Sequence, residues 1–284
     1  MKLASFAITL LVTCQLGTGA EQPIDQAPQR MEVGVLFKEI PATSTRPRIW
    51  AYLPDPVPPK PVPTIFIAPA GSGFIFGARL VSEDRAEHLP YVRAGFAVIA
   101  YELTGPPINS KVPLHNQVES VKASMEAKFG LSDLSAAIDF SSSIKAVDQG
   151  RLIAAGHSSS ATMALRAACF EPRVAYCVAY APATNIGKQV GFLGVEMLNL
   201  KIPPVANIIH DQSPIYAVDK LKCPLFLFAA DDDSVIPIAS LRQYHEKLKA
   251  LNSKVNFVTV KHGDHYDSMI KEGIPLAIQW LKQQ

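Results

Sequence analysis

Apolar residues in this chain recur in short unbroken runs. They are TIFIAPA at 64–70, FAVIAYEL at 96–103, RLIAAG at 151–156, VAYCVAYAP at 174–182, PLFLFAA at 224–230 and KVNFVTVKH at 254–262. Runs of this length, rich in branched and aromatic residues, predict strands buried on both faces. Between them the apolar positions take helical spacing. LVSEDRAEHLPYVRAG at 80–95 reads as a helix interrupted by Pro90, and two stretches divided near Gly130 lie between Leu114 and Val147. SATMALRAACF at 160–170, ASLRQYHEKLKAL at 239–251 and Ser268–Leu281 complete the set. Upstream, MEVGVLFKEI at 31–40 and RIWAYLP at 48–54 read as two strands split by the breaker PATSTRP. The proline-rich DPVPPKPVP at 55–63 is stiff and extended, and reads as a long hairpin loop.

Eight strands alternating with helices predict an α/β fold, a mainly parallel sheet covered on both faces. Functional residues in such sheets lie outside the carboxyl ends of the strands. A mixed segment at 183–222, interrupted by IPPVAN, reads as a small cap inserted into a single domain at 21–284.

The N-terminus carries Lys2, an apolar run from Leu3 to Val12, and Thr18-Gly19-Ala20 before Glu21. That order predicts a secretory signal peptide over residues 1–20, hence a secreted or periplasmic protein. Leu11-Val12-Thr13-Cys14 also has the outline of a lipoprotein box, with an ill-fitting threonine before the cysteine. The formal charge of +2 points to neither nucleic acid nor an anionic membrane surface, and the apolar run is too short for stable membrane insertion. Cys169, Cys177 and Cys223 are odd in number and sit in apolar contexts, which reads as buried thiols. Neither a CxxC pair nor a His/Cys cluster suggests a metal.

Three polar clusters follow predicted strands. Gly156-His157-Ser158-Ser159-Ser160 could be a nucleophile turn or a serine-capped helix start. Asp231-Asp232-Asp233 could orient a histidine or form a solvated acidic turn. His262 and His265, in VKHGDHYDSM, could supply a general base or lie on the surface. Serine, acid and histidine in that chain order, each just past a strand, point together to nucleophilic catalysis.

These clusters resemble those of the α/β-hydrolase superfamily, over nearly all of the chain after the leader. SPIYAVDKLKCPLFLFAADDDSVIP at 213–237 is similar to dienelactone-hydrolase-like and prolyl-oligopeptidase-type members, whose acid stands four residues before a proline. That selects Asp233. HGDHYDSM resembles the histidine turn of the same group and selects His265 over His262. The resemblance implies Ser158 as nucleophile and an oxyanion hole from the N–H groups of Ser159 and of Ser72, in APAGSGFIFG. Ala70 stands where the family has histidine, and Ser160 where it has glycine. Phe74 and Phe76 would line an acyl pocket or join the core. The expected activity is hydrolysis of a small or medium carboxylic ester without a cofactor. A peptidase of prolyl-oligopeptidase type, or a non-catalytic binding protein, are the alternatives. Serine in the nucleophile position argues against dienelactone hydrolase activity proper, where the family uses cysteine.

Overall fold

The computed structural model describes residues 27–71, 76–107, 114–203, 205–251 and 253–284. The leader, the cleavage site and Cys14 lie outside the described residues, as do Ser72 and Phe74.

The chain begins with an antiparallel edge: β1 (Gln29–Glu32), β2 (Val35–Ile40) and β3 (Ile49–Pro54). MEVGVLFKEI contributes to two strands rather than one. Gly34, at φ +83°, turns the chain back on itself, a conformation that costs glycine little. This hairpin makes the sheet nine-stranded instead of eight-stranded. The parallel part comprises β4 (Val62–Ile67), β5 (Ala97–Tyr101), β6 (Val147–His157), β7 (Val174–Tyr180), β8 (Leu225–Ala230) and β9 (Val255–Val260), and the strand order is β1-β2-β3-β5-β4-β6-β7-β8-β9. The proline-rich stretch is not a hairpin loop, because β5 lies between the strands it joins.

Alternation along each central strand sorts the core into two layers. Leu225 and Leu227 face one side with Phe66, Ile99 and Leu152, while Phe226 and Phe228 face the other with Ile65, Val98 and Ile153. The first layer is closed by α3 (Leu131–Ser141), α4 (Ser159–Phe170) and α8 (Ile238–Ala250) through Leu134, Leu165 and Tyr244. The second is closed by α1 (Arg85–Arg93) and α10 (Ile274–Leu281) through Tyr91, Ile274 and Leu281. Helix α1 runs through Pro90 without a break. The carbonyl that loses its donor to proline belongs to Ala86, four residues earlier, and Ala86 is exposed.

The segment at 183–222 folds as α5 (Ile186–Val190), α6 (Phe192–Lys201) and α7 (Val205–Gln212), followed by two single 3₁₀ turns. With α2 (Leu114–Glu126) these helices enclose a third apolar cluster of Val121, Phe129, Ile186, Ile202, Val205 and Ile209. Among the described residues no helix is long and apolar enough to cross a membrane. Cys169, Cys177 and Cys223 are free thiols.

Candidate active site

Strand β6 ends at His157, and α4 begins at Ser159. Between them Ser158 adopts φ 56° and ψ −119°, a conformation that serine holds only when its surroundings impose it. Two features impose it. The Ser158 N–H donates to the Tyr180 carbonyl of β7 (2.9 Å). Strand and helix also meet so closely at Gly156 that a Cβ there would lie 2.4 Å from the Ser160 carbonyl carbon. Ser160 does more than replace a small residue. Its hydroxyl accepts from the His157 N–H (2.9 Å) and donates to the His157 carbonyl (3.0 Å), clamping the turn from inside. The first ten residues of α4, Ser159 to Ala168, are buried, and most are small, which lets the helix lie close to the sheet.

The turn after β8 carries three aspartates with three different partners. Asp231 pairs with Arg242 at the surface (2.9 Å). Asp232 accepts from the N–H groups of Gly263 (3.2 Å) and Asp264 (2.9 Å), in the loop after β9. Asp233 Oδ1 accepts from Val235 N–H (2.9 Å) and Ile236 N–H (2.8 Å), and its Oδ2 faces His265 Nδ1 at 2.8 Å. The Asp233 side chain is fully buried and that of His265 is 14% exposed. The loop answers in kind: Asp264 accepts from Ser234 N–H (2.7 Å) and Ser234 hydroxyl (3.1 Å), which holds its carboxyl below the usual range. His265 opens the first turns of α9 (Asp264–Ser268). His262 lies apart, 87% exposed and 3.6 Å from Asp232.

Ser158 and His265 line one cavity of about 770 Å³, with Ala70, Gly71, Val235 and Tyr266. This volume is of the size that holds a small organic ligand. No hydrogen bond joins the Ser158 hydroxyl to the His265 ring among the described residues. Such contacts are commonly long before substrate binds and tighten afterwards. Ser159 is buried at the start of α4. Phe76 packs into the third cluster under the cap and borders, with Ser159, a small separate hollow. A larger hollow of about 940 Å³, between α3 and α7, shares no residue with the cavity of Ser158.

The cavity also gathers residues that the sequence pattern left unassigned. His157 Nε2 lies 2.9 Å from the His265 carbonyl, which can only accept, so Nε2 carries the proton. Its Nδ1 faces Glu87 Oε1 at 3.9 Å. Burial pushes the His157 pKa down to about 4, with the neighbouring His265 adding to the effect. Burial likewise pushes the Glu87 carboxyl up to about 8, with Asp84 contributing. At neutral pH the pair is therefore largely uncharged. Only the contacts of folded neighbours identify Glu87, which in sequence is one more polar residue on a helix.

A family model described as the prolyl oligopeptidase family matches residues 90–284. A Klebsiella pneumoniae protein, provisionally assigned as a dienelactone hydrolase, superposes with a TM-score of 0.66 at 18% identity, over 88% of this chain and 99% of that one. An acylaminoacyl peptidase from Pyrococcus horikoshii gives 0.63 at 15% identity, over 87% of this chain and 40% of that one. An esterase from Pyrococcus furiosus gives 0.59 at 16% identity, over 87% and 90%. At these identities the superpositions establish the fold. The chain spans about two fifths of the peptidase's length. No curated protein matches the sequence.

Proposed function

The chain belongs to the prolyl oligopeptidase family of serine hydrolases, and on that premise we propose that it hydrolyses carboxylic esters through Ser158, His265 and Asp233. One observation carries the reading. The histidine bonded to a buried carboxylate at 2.8 Å shares a cavity with a serine held at positive φ on a strand-to-helix turn.

In this mechanism His265 Nε2 removes the Ser158 proton as the hydroxyl attacks the ester carbonyl carbon. Asp233 keeps the proton on Nδ1 and stabilises the imidazolium that forms. The tetrahedral oxyanion is held by N–H groups, those of Ser159 and Ser72 in our proposal. Loss of one such donor typically costs ~3 kcal/mol of barrier. His265 then protonates the leaving alcohol, and water repeats the sequence on the acyl-enzyme to release the acid.

Two features support an ester over a peptide. The esterase of similar fold is matched over nearly its whole length, whereas the peptidase is matched over about two fifths. The cap consists of three short helices, which suits a small substrate.

A fluorophosphonate probe should label the wild-type protein and leave Ser158→Ala unlabelled. Equal labelling of both, or of neither, would sink the proposal, the second outcome favouring a binding protein. A panel of p-nitrophenyl esters against peptide p-nitroanilides then separates esterase from peptidase. Export is part of the same proposal and rests on residues 1–20. Intact mass of the secreted protein distinguishes a start at Glu21 from a lipidated Cys14.

A further inference from the structure

The cavity around Ser158 is one-sided in charge. Glu83, Asp84 and Glu87 line it, and no lysine or arginine is among its described lining residues. Asp84 is engaged in capping, accepting from the Val81 N–H at 2.8 Å, and Glu83 is exposed at the rim. Glu87 differs from both. It is 7% exposed, it lines the cavity, and among the described residues no hydrogen bond reaches its carboxyl. The ring nitrogen of His157 at 3.9 Å is too far to supply one and, with the proton on Nε2, has none to give. A carboxyl withdrawn from most of its water is costly to ionise unless a compensating charge lies beside it. On the same wall Tyr266 is 42% exposed, its ring in edge contact with His157.

A positively charged group entering the cavity answers all of these features. It compensates the buried carboxylate, is drawn by the two acids at the rim, and packs against an aromatic face. We propose that Glu87, with Asp84, Glu83 and Tyr266, forms a subsite selecting esters that carry an ammonium group; this rests on the esterase reading above. The titratable groups facing Glu87 are Asp84 just ahead of its helix, Tyr91 on that helix, His157 of β6, Tyr180 of β7 and Tyr266 of α9. With its carboxyl held up at about 8, Glu87 is neutral at pH 6 and ionised at pH 9. Selectivity for the cation therefore grows across that interval.

The test compares acetylthiocholine with its uncharged carbon isostere, 3,3-dimethylbutyl thioacetate, by thiol release, with p-nitrophenyl acetate as a neutral reference. At pH 8.5 the cation should be favoured by about tenfold in kcat/KM, the scale of one partly solvated charge pair. Glu87→Gln should bring the ratio close to one, and Glu83→Gln should lower it in part. Equal efficiency on both isosteres by an enzyme that cleaves p-nitrophenyl acetate overturns the subsite alone. So does a ratio that survives in Glu87→Gln. Absence of hydrolysis of every ester overturns the esterase reading and this inference with it. If Glu87→Gln does not fold, the wild-type ratio between pH 6 and pH 9 decides, and a flat profile overturns the proposal.

Discussion

Replacing Asp233 by asparagine tests the proposed role of the acid with almost no change of shape. The outcome follows from the hydrogen bonds at each oxygen. Oδ1 accepts from two backbone N–H groups, Val235 and Ile236, so an asparagine must put its carbonyl oxygen there. Its amide nitrogen then occupies the Oδ2 position, 2.8 Å from His265 Nδ1. An N–H now points at Nδ1, and the ring must carry its proton on Nε2 instead. A histidine in that tautomer cannot accept the Ser158 proton. The same substitution in a well-studied serine protease triad lowers kcat by ~10⁴ through the same wrong tautomer, which is ~5.4 kcal/mol of barrier. Asp233→Asn is therefore expected to reduce kcat on p-nitrophenyl acetate by roughly four orders of magnitude. Its thermal midpoint should stay close to wild type, because both backbone donors keep an acceptor. Circular dichroism melts and steady-state kinetics on one preparation give both numbers. A folded variant that loses less than tenfold refutes the assignment of Asp233 as the group that sets the tautomer.

Gly156→Ala puts a Cβ 2.4 Å from backbone carbon of Ser160, so something must shift; overpacking of this kind costs ~1–3 kcal/mol, readable in urea denaturation, and labelling of Ser158 should fall with it. Ser160→Ala leaves the buried His157 N–H without its acceptor, a loss of ~1–3 kcal/mol that an unchanged denaturation midpoint would contradict. Asp232→Asn weakens the hold on the loop bearing His265, and kcat should drop by roughly tenfold, the equivalent of one net hydrogen bond, with KM little changed. The buried Glu87 carboxyl, raised to about 8 against its ordinary 4.5, binds a proton in the folded state that the unfolded chain has released. Stability from this group is present in full below about pH 4.5 and is lost as pH rises through 8. His157, lowered from 6.5 to about 4, works in the opposite sense at lower pH, so the decline from Glu87 stands alone above 6.5. Between pH 6.5 and 8 the wild type should lose up to ~2 kcal/mol, and Glu87→Gln should lose none of that share.

The central strands were legible because burial on both faces leaves an unbroken apolar run, as in Leu225–Ala230, that no amphipathic element produces. The ends were less so. Strand β6 starts at Val147, four residues before the apolar run, because Val147 pairs with Val62 of β4 ahead of an irregularity that resumes pairing at Leu152; Asp148, Gln149 and Gly150 between them are half-buried or exposed and carry no apolar signal. The first hairpin was hidden because a single glycine inside an apolar stretch looks the same in a strand as in a turn. Among the candidate site residues, Ser158, Asp233 and His265 stand at strand ends, where position alone suggests chemistry. The hydroxyl clamp of Ser160 and the buried Glu87 were not legible. Both depend on what lies opposite after folding: His157 across a three-residue turn in one case, and a wall of the cavity in the other.

Asp232 and Asp233 are adjacent, yet one holds the loop that carries the histidine and the other holds its ring, while Asp264 reaches back to Ser234. His265 and Asp233 are thus yoked at both ends, and any breathing of that rim transports them as one piece. Ser158 rides on a different strand end, moored to β7. Tuning this site, by mutation or by a bound molecule, therefore amounts to adjusting a single gap, between the tip of β6 and the β8–β9 margin.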